Sequence, residues 1–560
     1  MTLKIAVAQL NFTVGDVMGN ARRVIEAARA AHAQGARLLL APELAVCACP
    51  AEDLLLRPAF IAACDDAVRA IARETAGLRE MVIVAGHPLD PASLPASAGH
   101  ARSLRPARLH NAASVIREGR VIATCAKRLL PDCQLADERR YFAPGQGVCV
   151  FEAAGVRVGL LIGQDAWARE PAEQARQAGA ELLAVIDAWP VHAGRGRERE
   201  ALLRERARAC GLPLIHANLV GGQDETVFDG HSLAVGADAQ LAGRAPGFAE
   251  QLFTVDATRQ GSGLRLAAAI APAREDEAEL WDALVLSLRD YMRKTGFSSA
   301  LLGLSGGIDS ALVLALAVDA LGKERVSTVM MPSPYTANMS LQDAQEMARR
   351  LGVRHEEIAI LPAFECLKSS LAPLFGGKSE DATEENLQAR IRGVLLMGLS
   401  NKHGGLLLST GNKSEYATGY CTLYGDMCGG FAPLKDVLKT TVFRLARWRN
   451  GHDPYGRGAN PIPERIITRA PSAELRPGQT DQDSLPPYEA LDAIIERTME
   501  NGLGAAELIA SGFDPDDVRQ VTRLLQASQF KRQQATLGTR LTRQSFGADW
   551  RYPIANQFRA

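Results

Sequence analysis

The sequence predicts an α/β protein built from two domains, and three observations lead to this prediction. Short apolar runs alternate with helical patterns from residue 1 to about residue 265. The next stretch has the composition of a linker, and a second series of apolar strands and helices then continues to residue 560. A chain of 560 residues with 47% hydrophobic residues can bury two cores. We therefore predict one domain over residues 1–265 and a second over residues 266–560.

Composition and charge narrow the class of partner. The formal net charge of −1 gives no electrostatic reason to expect nucleic acid or a membrane surface as a partner. No apolar run is long enough to span a membrane, and the first residues read as a strand rather than a signal peptide. The ten cysteines have no spacing typical of zinc sites, so we interpret them as reduced thiols. We expect a cytoplasmic protein with small-molecule substrates.

The N-terminal region reads as a series of short apolar strands, several of which end in small or polar residues. The expected strands are residues 5–9, 38–41, 81–85, 112–116, 156–162, 182–186, 214–217 and 231–235. Strands of this length that alternate with helical patterns indicate an α/β domain.

The C-terminal region is organised around residues 300–321. An apolar strand at 300–304 ends in the turn Ser-Gly-Gly-Ile-Asp-Ser at 305–310, and the apolar run 311–321 then reads as a helix. A glycine-rich turn that opens a helix presents backbone N–H groups to an anion such as phosphate. Asp309 would repel phosphate unless a divalent cation lay between them. The turn therefore predicts a nucleotide site with magnesium, and it is not a Walker A loop because no Gly-Lys-Ser/Thr sequence ends it.

Further elements predict a doubly wound parallel sheet around this turn. An amphipathic helix is expected at 276–295, strands at 326–331 and 406–409, and a helix near 343–351. Ligands of such sheets bind at the carboxyl ends of the strands. Glu415, in the polar turn after the last strand, is therefore a candidate second magnesium ligand, although the start of a helix would by itself explain its position.

Three stretches of the N-terminal region carry a family resemblance. They are Leu-Ala-Pro-Glu-Leu at 40–44, Ala-Lys-Arg-Leu-Leu-Pro at 126–131 and Gly-Leu-Leu-Ile-Gly-Gln-Asp-Ala-Trp at 159–167. Their order and spacing resemble the nitrilase, or carbon–nitrogen hydrolase, family. This resemblance implies a nitrilase-like αββα sandwich that holds a Glu–Lys–Cys triad at strand ends. It makes Glu43 the general base and Lys127 the positively charged oxyanion stabiliser.

The third member of the triad is missing from this chain. Gly163 stands where the family has its nucleophilic cysteine, and glycine has no side chain that could attack an amide carbon. Related glutaminase domains usually have tyrosine, serine and lysine at the positions of Cys133, Trp189 and Arg195. A tryptophan in place of serine would fill a small amide pocket. We therefore interpret the domain as a degenerate glutaminase in which the remaining triad members are relics or a buried ion pair.

An alternative is that another thiol serves as the nucleophile. Cys125 is the nearest candidate in sequence, because it stands two residues before Lys127 and both side chains would face the same side of a strand. The nucleophile must also lie within hydrogen-bond reach of Glu43, which is a strict requirement for a residue on another strand.

The C-terminal region resembles a second family. The turn at 305–310 resembles the pyrophosphate loop of the N-type ATP pyrophosphatases, which cleave ATP between its α and β phosphates. Further runs follow in the order expected for one family, at 420–427, 429–440, 471–477, 479–486 and 530–535. They closely resemble the NAD synthetase family, and the whole chain resembles its two-domain glutamine-dependent form. The resemblance implies ATP-dependent amidation of deamido-NAD to NAD through an NAD-adenylate, with release of AMP and pyrophosphate.

The same resemblance assigns residues to the substrates and to the metal. The implied ATP-binding residues are Gly303, Leu304, Ser305, Gly306, Gly307, Ile308, Asp309, Ser310 and Thr410. The implied deamido-NAD-binding residues are Asn386, Arg390, Glu415, Asp426, Lys435 and Lys531. Magnesium is expected on Asp309 and Glu415. The loop at 472–483 looks like a mobile lid over the reacting centre.

The missing nucleophile bears on the source of nitrogen. Family members with an intact N-terminal domain split glutamine there, whereas this chain is expected to use free ammonia. The alternatives are a glutamine-dependent enzyme with a displaced nucleophile, a pseudoenzyme that senses ATP or NAD, and another ATP pyrophosphatase such as a guanylate- or asparagine-type amidotransferase. The family also implies a homo-oligomer.

Overall fold

The structure, a computed structural model, describes residues 2–93, 108–131, 137–261, 263–547 and 549–557. It divides the chain into two units, Met1–Arg274 and Glu275–Ala560. The boundary expected after residue 265 falls inside the strand Gly263–Ala268, which pairs antiparallel with Gln251–Gln260 and so belongs to the first unit. Within the described ranges, no helix is both long and apolar enough to cross a membrane.

The first unit alternates strands with helices. Its strands are β1 (Thr2–Gln9), β2 (Leu38–Leu40), β3 (Val82–Leu89), β4 (His110–Arg117), β5 (Arg120–Ala126), β6 (Cys149–Ala153), β7 (Val156–Ile162), β8 (Leu182–Asp187), β9 (Leu214–Asn218), β10 (Val220–Gln223), β11 (Thr226–Asp229), β12 (Leu233–Val235), β13 (Leu241–Arg244), β14 (Gln251–Gln260) and β15 (Gly263–Ala268). Its helices are α1 (Val17–Ala33), α2 (Pro58–Glu74), α3 (Glu138–Tyr141), α4 (Arg169–Gln177) and α5 (Arg195–Cys210). Each predicted strand of this region is present, as β1–β4, β7–β9 and β12.

Two sheets stack face to face in the first unit, with helices on their outer faces. In the described part of the unit the strand orders are β15-β14-β1-β2-β3-β4-β5 and β13-β12-β9-β8-β7-β6. Ile5 and Val7 of β1 lie in one apolar cluster with Val158 of the second sheet. The alternate residues Ala6 and Ala8 lie in another cluster with residues of α1 and α2. The predicted αββα sandwich is confirmed.

The second unit is mostly helical. Its strands are β16 (Ala300–Gly303), β17 (Val326–Met330), β18 (Arg354–Glu357) and β19 (Leu406–Leu407). Its helices are α6 (Asp276–Thr295), α7 (Ile308–Leu321), α8 (Asn338–Leu351), α9 (Leu361–Phe375), α10 (Ala382–His403), α11 (Lys413–Thr418), α12 (Lys439–Gly451), α13 (Glu464–Thr468), α14 (Tyr488–Asn501), α15 (Ala505–Ala510), α16 (Pro515–Ala527) and α17 (Gln529–Arg532). The predicted helix at 276–295 has the same bounds as α6.

The strands of the second unit form a parallel sheet in the order β18-β17-β16-β19. Leu301 of β16 packs with Phe364 of α9 and Ile391 of α10, while α7 is buried along nearly its whole length. Because β16 and β19 are parallel neighbours, the turn after β16 and the segment after β19 leave the sheet at the same edge. The predicted parallel sheet is confirmed, and it brings two predicted ligand segments together.

A buried ion pair joins α7 to α12. Asp319 accepts hydrogen bonds from Arg449 Nε at 2.7 Å and Nη2 at 3.0 Å, and from Trp281 Nε1 at 2.9 Å. Both charged side chains are 0% exposed. We expect Asp319→Asn to lower the free energy of unfolding by about 3–5 kcal/mol, because it deprives a buried guanidinium of its closest charge partner, which is itself fully buried. Urea denaturation measures this loss.

The exposed pair between Glu346 and Arg349 on α8 provides the control. Glu346→Gln should leave the urea midpoint almost unchanged, since solvent screens an exposed pair. Equal effects of Glu346→Gln and Asp319→Asn would contradict the structural role given to the buried pair.

Candidate active site

The turn after β16 is held by its own serines. Leu304 N donates to Val329 O at 3.0 Å, which extends the sheet up to the turn. Ser310 Oγ accepts from Ser305 N at 3.2 Å and donates to Gly307 O at 3.0 Å. These bonds fix the start of α7, and the N-terminus of a helix favours anions.

Gly306 is required by close packing against α8. Its φ is +77°, and a Cβ at this position would lie 2.4 Å from Ser340 O. Arg469 holds the same contact, because its Nη1 donates to Ser340 Oγ at 2.7 Å and its Nη2 donates to Gly306 O at 3.1 Å. The turn is therefore fixed from both sides, by α8 and by Arg469.

A cavity of about 280 Å³ opens beside this turn. The predicted ATP-binding residues line it, with the exception of Gly306. Glu415 and Asp426, from the predicted deamido-NAD set, also line it, and Arg392 and Lys439 add positive charge to the wall. A concave wall with apolar surface and a few charged groups suits a ligand such as a nucleotide.

The two predicted magnesium ligands converge on one buried ammonium group. Lys439 Nζ donates to Asp309 Oδ2 at 2.6 Å and to Glu415 Oε1 at 3.3 Å. Asn412 Nδ2 donates to Asp309 Oδ1 at 2.8 Å, and Asn412 Oδ1 accepts from Glu415 N at 3.0 Å as the cap of α11. Asp309, Glu415 and Lys439 lie in the first turns of α7, α11 and α12. We call these three residues the synthetase cluster, after the family that the C-terminal region resembles.

Burial makes the synthetase cluster sensitive to protonation. Burial and the nearby charge of Asp309 raise the pKa of Glu415 to about 8. Burial lowers the pKa of Lys439, but Asp309 and Glu415 raise it more, so this pKa lies above its ordinary value. The ammonium therefore stays charged at neutral pH, while Glu415 favours its protonated form.

Sequence patterns do not identify Lys439 or Asp481 as members of this site. Both line the cavity, and Asp481 is 3% exposed. Lys439 begins α12, where a lysine beside two threonines reads as an ordinary helix start. The charge of Asp481 contributes to the raised pKa of Lys439, so this carboxylate adds to the negative charge around the ammonium.

The predicted lid at 472–483 contributes to the cavity wall through Ser472 and Asp481, among others. Ser472 Oγ donates to Gln479 O at 2.6 Å, and Asp481 N donates to Pro471 O at 3.2 Å, so the two ends of the loop are joined. The mobility of the loop stays a prediction.

Lys531 and Lys435, two predicted deamido-NAD residues, lie outside the wall of the described cavity. Lys531 Nζ donates to Gly419 O and to Cys421 O, each at 2.7 Å. Lys435 is 8% exposed. Lys531 therefore holds the end of α11 and the start of the turn that follows it.

Asn386 and Arg390 lie on α10, also outside the cavity wall. Arg390 Nε donates to Leu423 O at 3.2 Å, and Asn386 Oδ1 accepts from Thr422 Oγ1 at 2.8 Å. Thr422 itself lines the cavity. The structure thus gives both residues a supporting place behind the turn, and their contact with a substrate stays a prediction.

A second buried ammonium group joins two carboxylates in the first unit. Lys127 Nζ donates to Glu43 Oε1 and to Glu138 Oε1, each at 2.6 Å. Asn111 Nδ2 donates to Glu43 Oε1 at 2.6 Å, and Ala188 N donates to Glu43 Oε2 at 3.2 Å. Lys127 is 1% exposed and Glu43 is 3% exposed. Sequence patterns miss Glu138 because it lies on the short helix α3, outside the three matched stretches.

The protonation of this network follows from burial. Burial raises the pKa of Glu43 to about 7, against the opposing effect of Lys127 and with support from the charge of Glu138. Burial lowers the pKa of Lys127, but the two carboxylates raise it more, so it lies above its ordinary value. The lysine therefore stays charged and binds both acids.

Gly163 lies directly against this network. Its φ is +49°, and a Cβ at this position would lie 2.6 Å from Glu43 Oε2 and 2.8 Å from Lys127 Nζ. The structure therefore brings Glu43, Lys127 and Gly163 together. The two charged side chains take up the space that a side chain at position 163 would need.

Two tryptophans and an arginine stack on one another in the same unit. The ring centroids of Trp167 and Trp189 are 4.4 Å apart. The guanidinium carbon of Arg195 lies 4.5 Å from the Trp189 centroid and 5.1 Å from the Trp167 centroid. Trp189 is 3% exposed, so its ring takes up volume inside the domain. Cys133 lies outside the described residues.

The suggestion that Cys125 replaces the nucleophile is wrong for this structure. Cys125 of β5 is joined by a disulfide to Cys149 of β6, with Cα atoms 5.8 Å apart, and both pack in the core between the sheets. This pair also corrects the prediction that the cysteines are reduced, because strands of the two facing sheets bring the thiols together. Cys49 is a free thiol, and burial, then the charges of Glu43 and Glu138, raise its pKa well above the usual value.

Comparisons with known proteins place both units. The NAD synthase family model matches residues 280–535, and the carbon–nitrogen hydrolase model matches residues 4–264. A glutamine-dependent NAD(+) synthetase of Xanthomonas campestris pv. campestris (strain 8004) is 48% identical over 561 residues, which cover 100% of this chain and 98% of that protein. This chain belongs to the glutamine-dependent NAD(+) synthetase family. The resemblance predicted from the sequence is therefore confirmed.

Two further relatives support the family assignment. The glutamine-dependent NAD(+) synthetase of Thermotoga maritima is 40% identical over 592 residues, which cover 100% of this chain and 99% of that protein. The solved glutamine-dependent NAD+ synthetase of Acinetobacter baumannii, in complex with ADP, is 41% identical with a TM-score of 0.78 and covers 99% of each chain. In this NAD(+) synthetase family member, the synthetase cluster falls in the NAD synthase region, and the Lys127 network falls in the hydrolase region.

The packing around Gly163 yields a stability prediction. We expect Gly163→Ala to destabilise the protein by roughly 1–3 kcal/mol more than Gly211→Ala, because the added methyl must push apart Glu43 and Lys127. Gly211 is the matched control, since its φ is +62° and a Cβ there meets no described atom within 4 Å. Urea denaturation of the two variants measures the difference, and equal midpoints would contradict the close packing at Gly163.

Proposed function

We propose that this chain converts deamido-NAD to NAD by ATP-dependent amidation, through an NAD-adenylate and with release of AMP and pyrophosphate. The observation that carries the proposal is that the turn at 305–310 meets the synthetase cluster on the wall of one cavity. The ADP bound to the Acinetobacter baumannii relative supports a nucleotide in this family.

The protein's part in this chemistry is positioning and charge neutralisation. A carboxylate is a poor electrophile, so reaction with the α-phosphate of ATP converts it to an acyl-adenylate, and pyrophosphate leaves with the electron pair of the broken P–O bond. Backbone N–H groups at the start of α7 and the ammonium of Lys439 stabilise the charge that moves onto pyrophosphate. Ammonia in its unprotonated form then attacks the acyl carbon, AMP leaves, and the extra proton is lost. Segments that line the cavity, such as the loop at 472–483, would limit the access of water, which would otherwise hydrolyse the adenylate.

Magnesium fits the residues placed here. Asp309 and Glu415 already bind one cationic group, and carboxylate oxygens are ligands that Mg²⁺ prefers. In the part of the chain that the structure describes, no group of three or more His, Cys, Asp or Glu side chains could hold a metal ion alone. Phosphate oxygens and water would therefore supply the other ligands. When bound, the ion would neutralise charge on the transferred phosphates.

We propose free ammonia as the nitrogen donor. Gly163 lies against Glu43 and Lys127 and offers no group that could form an acyl-enzyme with glutamine. The names of the relatives favour glutamine, since both the Xanthomonas and Thermotoga proteins are called glutamine-dependent. The proposal therefore differs from what those names say, and it rests on the glycine at position 163.

Glutamine is a second candidate donor because the relatives are called glutamine-dependent and Cys49 is a free thiol of the same unit. In this candidate Cys49 would take the place of the missing nucleophile. The raised pKa of Cys49 opposes this role, since it lowers the fraction of reactive thiolate. The names of the relatives therefore support glutamine as the donor, whereas the raised pKa of Cys49 supports ammonia.

The remaining interpretations have less support. A sensor of ATP or NAD without activity would not need the intact synthetase cluster, and the NAD synthase match argues against a guanylate- or asparagine-type amidotransferase. A homo-oligomer stays part of the proposal.

The nitrogen donor is tested by measuring NAD formed from deamido-NAD, ATP and magnesium, with ammonium or ammonia-free glutamine as the only nitrogen source. We expect turnover with ammonium and no turnover above background with glutamine, because Gly163 cannot act as a nucleophile. Absence of turnover with either donor would contradict the synthetase proposal itself.

Two variants sharpen this experiment. Gly163→Cys should release no glutamate from glutamine, because Trp189 still occupies space inside the domain and a side chain at 163 meets the Lys127 network. Glutamine-dependent turnover in the unmodified chain that disappears in Cys49→Ala would overturn the ammonia proposal and establish the second candidate.

Binding of ATP with magnesium should release a proton near pH 7. The pKa of Glu415 is about 8, so most molecules carry a proton on this carboxyl at pH 7, and a cation at the site favours the ionised form. Titration calorimetry in buffers of different ionisation enthalpy should count about one proton released at pH 7 and fewer near pH 9. Glu415→Gln should abolish the release, and an unchanged proton count in this variant would exclude Glu415 as its source.

A further inference from the structure

Asp492 is a buried carboxylate of α14 that the proposed mechanism does not use. It is 3% exposed. Its Oδ1 accepts from Ser414 Oγ at 2.5 Å, and its Oδ2 accepts from Thr440 N at 2.7 Å and from Thr440 Oγ1 at 2.8 Å. Ser414 belongs to α11 and Thr440 to α12, so one side chain links the first turns of two helices.

The linked positions adjoin two members of the synthetase cluster. Ser414 precedes Glu415, and Thr440 follows Lys439. Ser414 Oγ also accepts from Lys439 N at 2.9 Å, so this hydroxyl donates to one partner and accepts from the other. Asp492 therefore fixes the backbone at Glu415 and at Lys439 at the same time.

Asp492 also supplies an acceptor at the start of α12. The first N–H groups of a helix need acceptors from outside it, and the side chain of the N-cap residue Leu438 is apolar. Asp492 accepts from Thr440 N, and Ser414 accepts from Lys439 N. A carboxylate is also favourable beside the positive end of a helix. The Lys439 ammonium therefore extends from a backbone position that Asp492 holds.

Tyr488, four residues before Asp492 on α14, contacts the same region. Its ring centroid lies 5.3 Å from Lys439 Nζ, and its hydroxyl donates to Asp481 Oδ2 at 2.7 Å. Residues four apart share one face of a helix. One face of α14 therefore holds Lys439 at two points. Asp492 accepts from the backbone beside it, and the Tyr488 ring lies near its ammonium group.

We propose that Asp492 is a positioning residue for the ATP site, which sets the spacing between the Lys439 ammonium and the Glu415 carboxylate. This inference rests on the proposed function of the cavity. Asp492 is outside the described cavity wall, so it acts on a bound nucleotide only through Ser414 and Thr440.

The test compares ATP affinity in the full chain and in Asp492→Asn, with magnesium, by titration calorimetry. Asparagine keeps the shape of the side chain and one acceptor oxygen, but its amide nitrogen cannot accept a hydrogen bond. Either the Ser414 or the Thr440 contact is lost, and the spacing of the cluster changes. We expect the Kd for ATP to rise about tenfold or more.

Asp549→Asn is the matched control. Asp549 lies in the same unit, is 6% exposed, and its Oδ2 accepts from Arg540 Nε at 2.7 Å and from Ser545 N at 3.0 Å. It is also outside the described cavity wall. Both variants should lose thermal stability, but Asp549→Asn should keep the Kd for ATP of the unmodified chain. Equal ATP affinity in the two variants would overturn the inference.

Ser414→Ala gives an independent measurement that holds even when Asp492→Asn does not fold. It removes the hydroxyl between Asp492 and Lys439 and should weaken ATP binding too, with effects that are less than additive in the double variant. Unchanged ATP affinity in Ser414→Ala would overturn the inference. Absence of ATP binding by the unmodified chain would instead overturn the proposed function, so the two failures are distinguishable.

Discussion

Each unit contains a buried ammonium group that donates to two carboxyl groups, and the elements around it depend on keeping that charge paired. Lys127 binds Glu43 and Glu138, and Lys439 binds Asp309 and Glu415. Removing either partner of such a pair leaves an uncompensated charge inside the protein, which is strongly destabilising. Each lysine therefore fixes the elements that carry its acceptors. In the second unit these elements are the first turns of α7, α11 and α12, which explains why segments far apart in sequence meet at one cavity.

The two ammonium groups differ in what surrounds them. The synthetase cluster borders an open cavity, so its charges remain available to a ligand. The Lys127 network is closed by Asn111, by Ala188 N and by the backbone at Gly163. The same arrangement of an ammonium and two carboxyl groups thus borders a cavity in one unit and is surrounded by protein groups in the other.

Sequence periodicity predicts the elements whose apolar residues are local and buried. The helix at 276–295 and the strands of the first sandwich are examples. The edge strand β5 is missed because Val121 and Ile122 are 44% and 42% exposed, so it lacks a buried stripe. Site residues are harder to predict than elements. Lys439 meets Asp309 across 130 positions of sequence, and no local pattern contains such a contact. The alternation of side chains along a strand predicts which way Cys125 faces, but it does not show that the facing sheet carries Cys149.

The backbone at Gly163 has an evolutionary consequence. Its φ of +49° is open to glycine without strain, whereas another residue in this left-handed conformation costs roughly 1 kcal/mol or more. Glycine at this position avoids that strain and leaves room for Glu43 and Lys127, whose side chains lie where a Cβ would be. A side chain introduced here would meet both the strain and the ion network. Restoring a side chain at position 163 therefore costs stability in two ways, through the backbone conformation and through displacement of the Glu43–Lys127 pair.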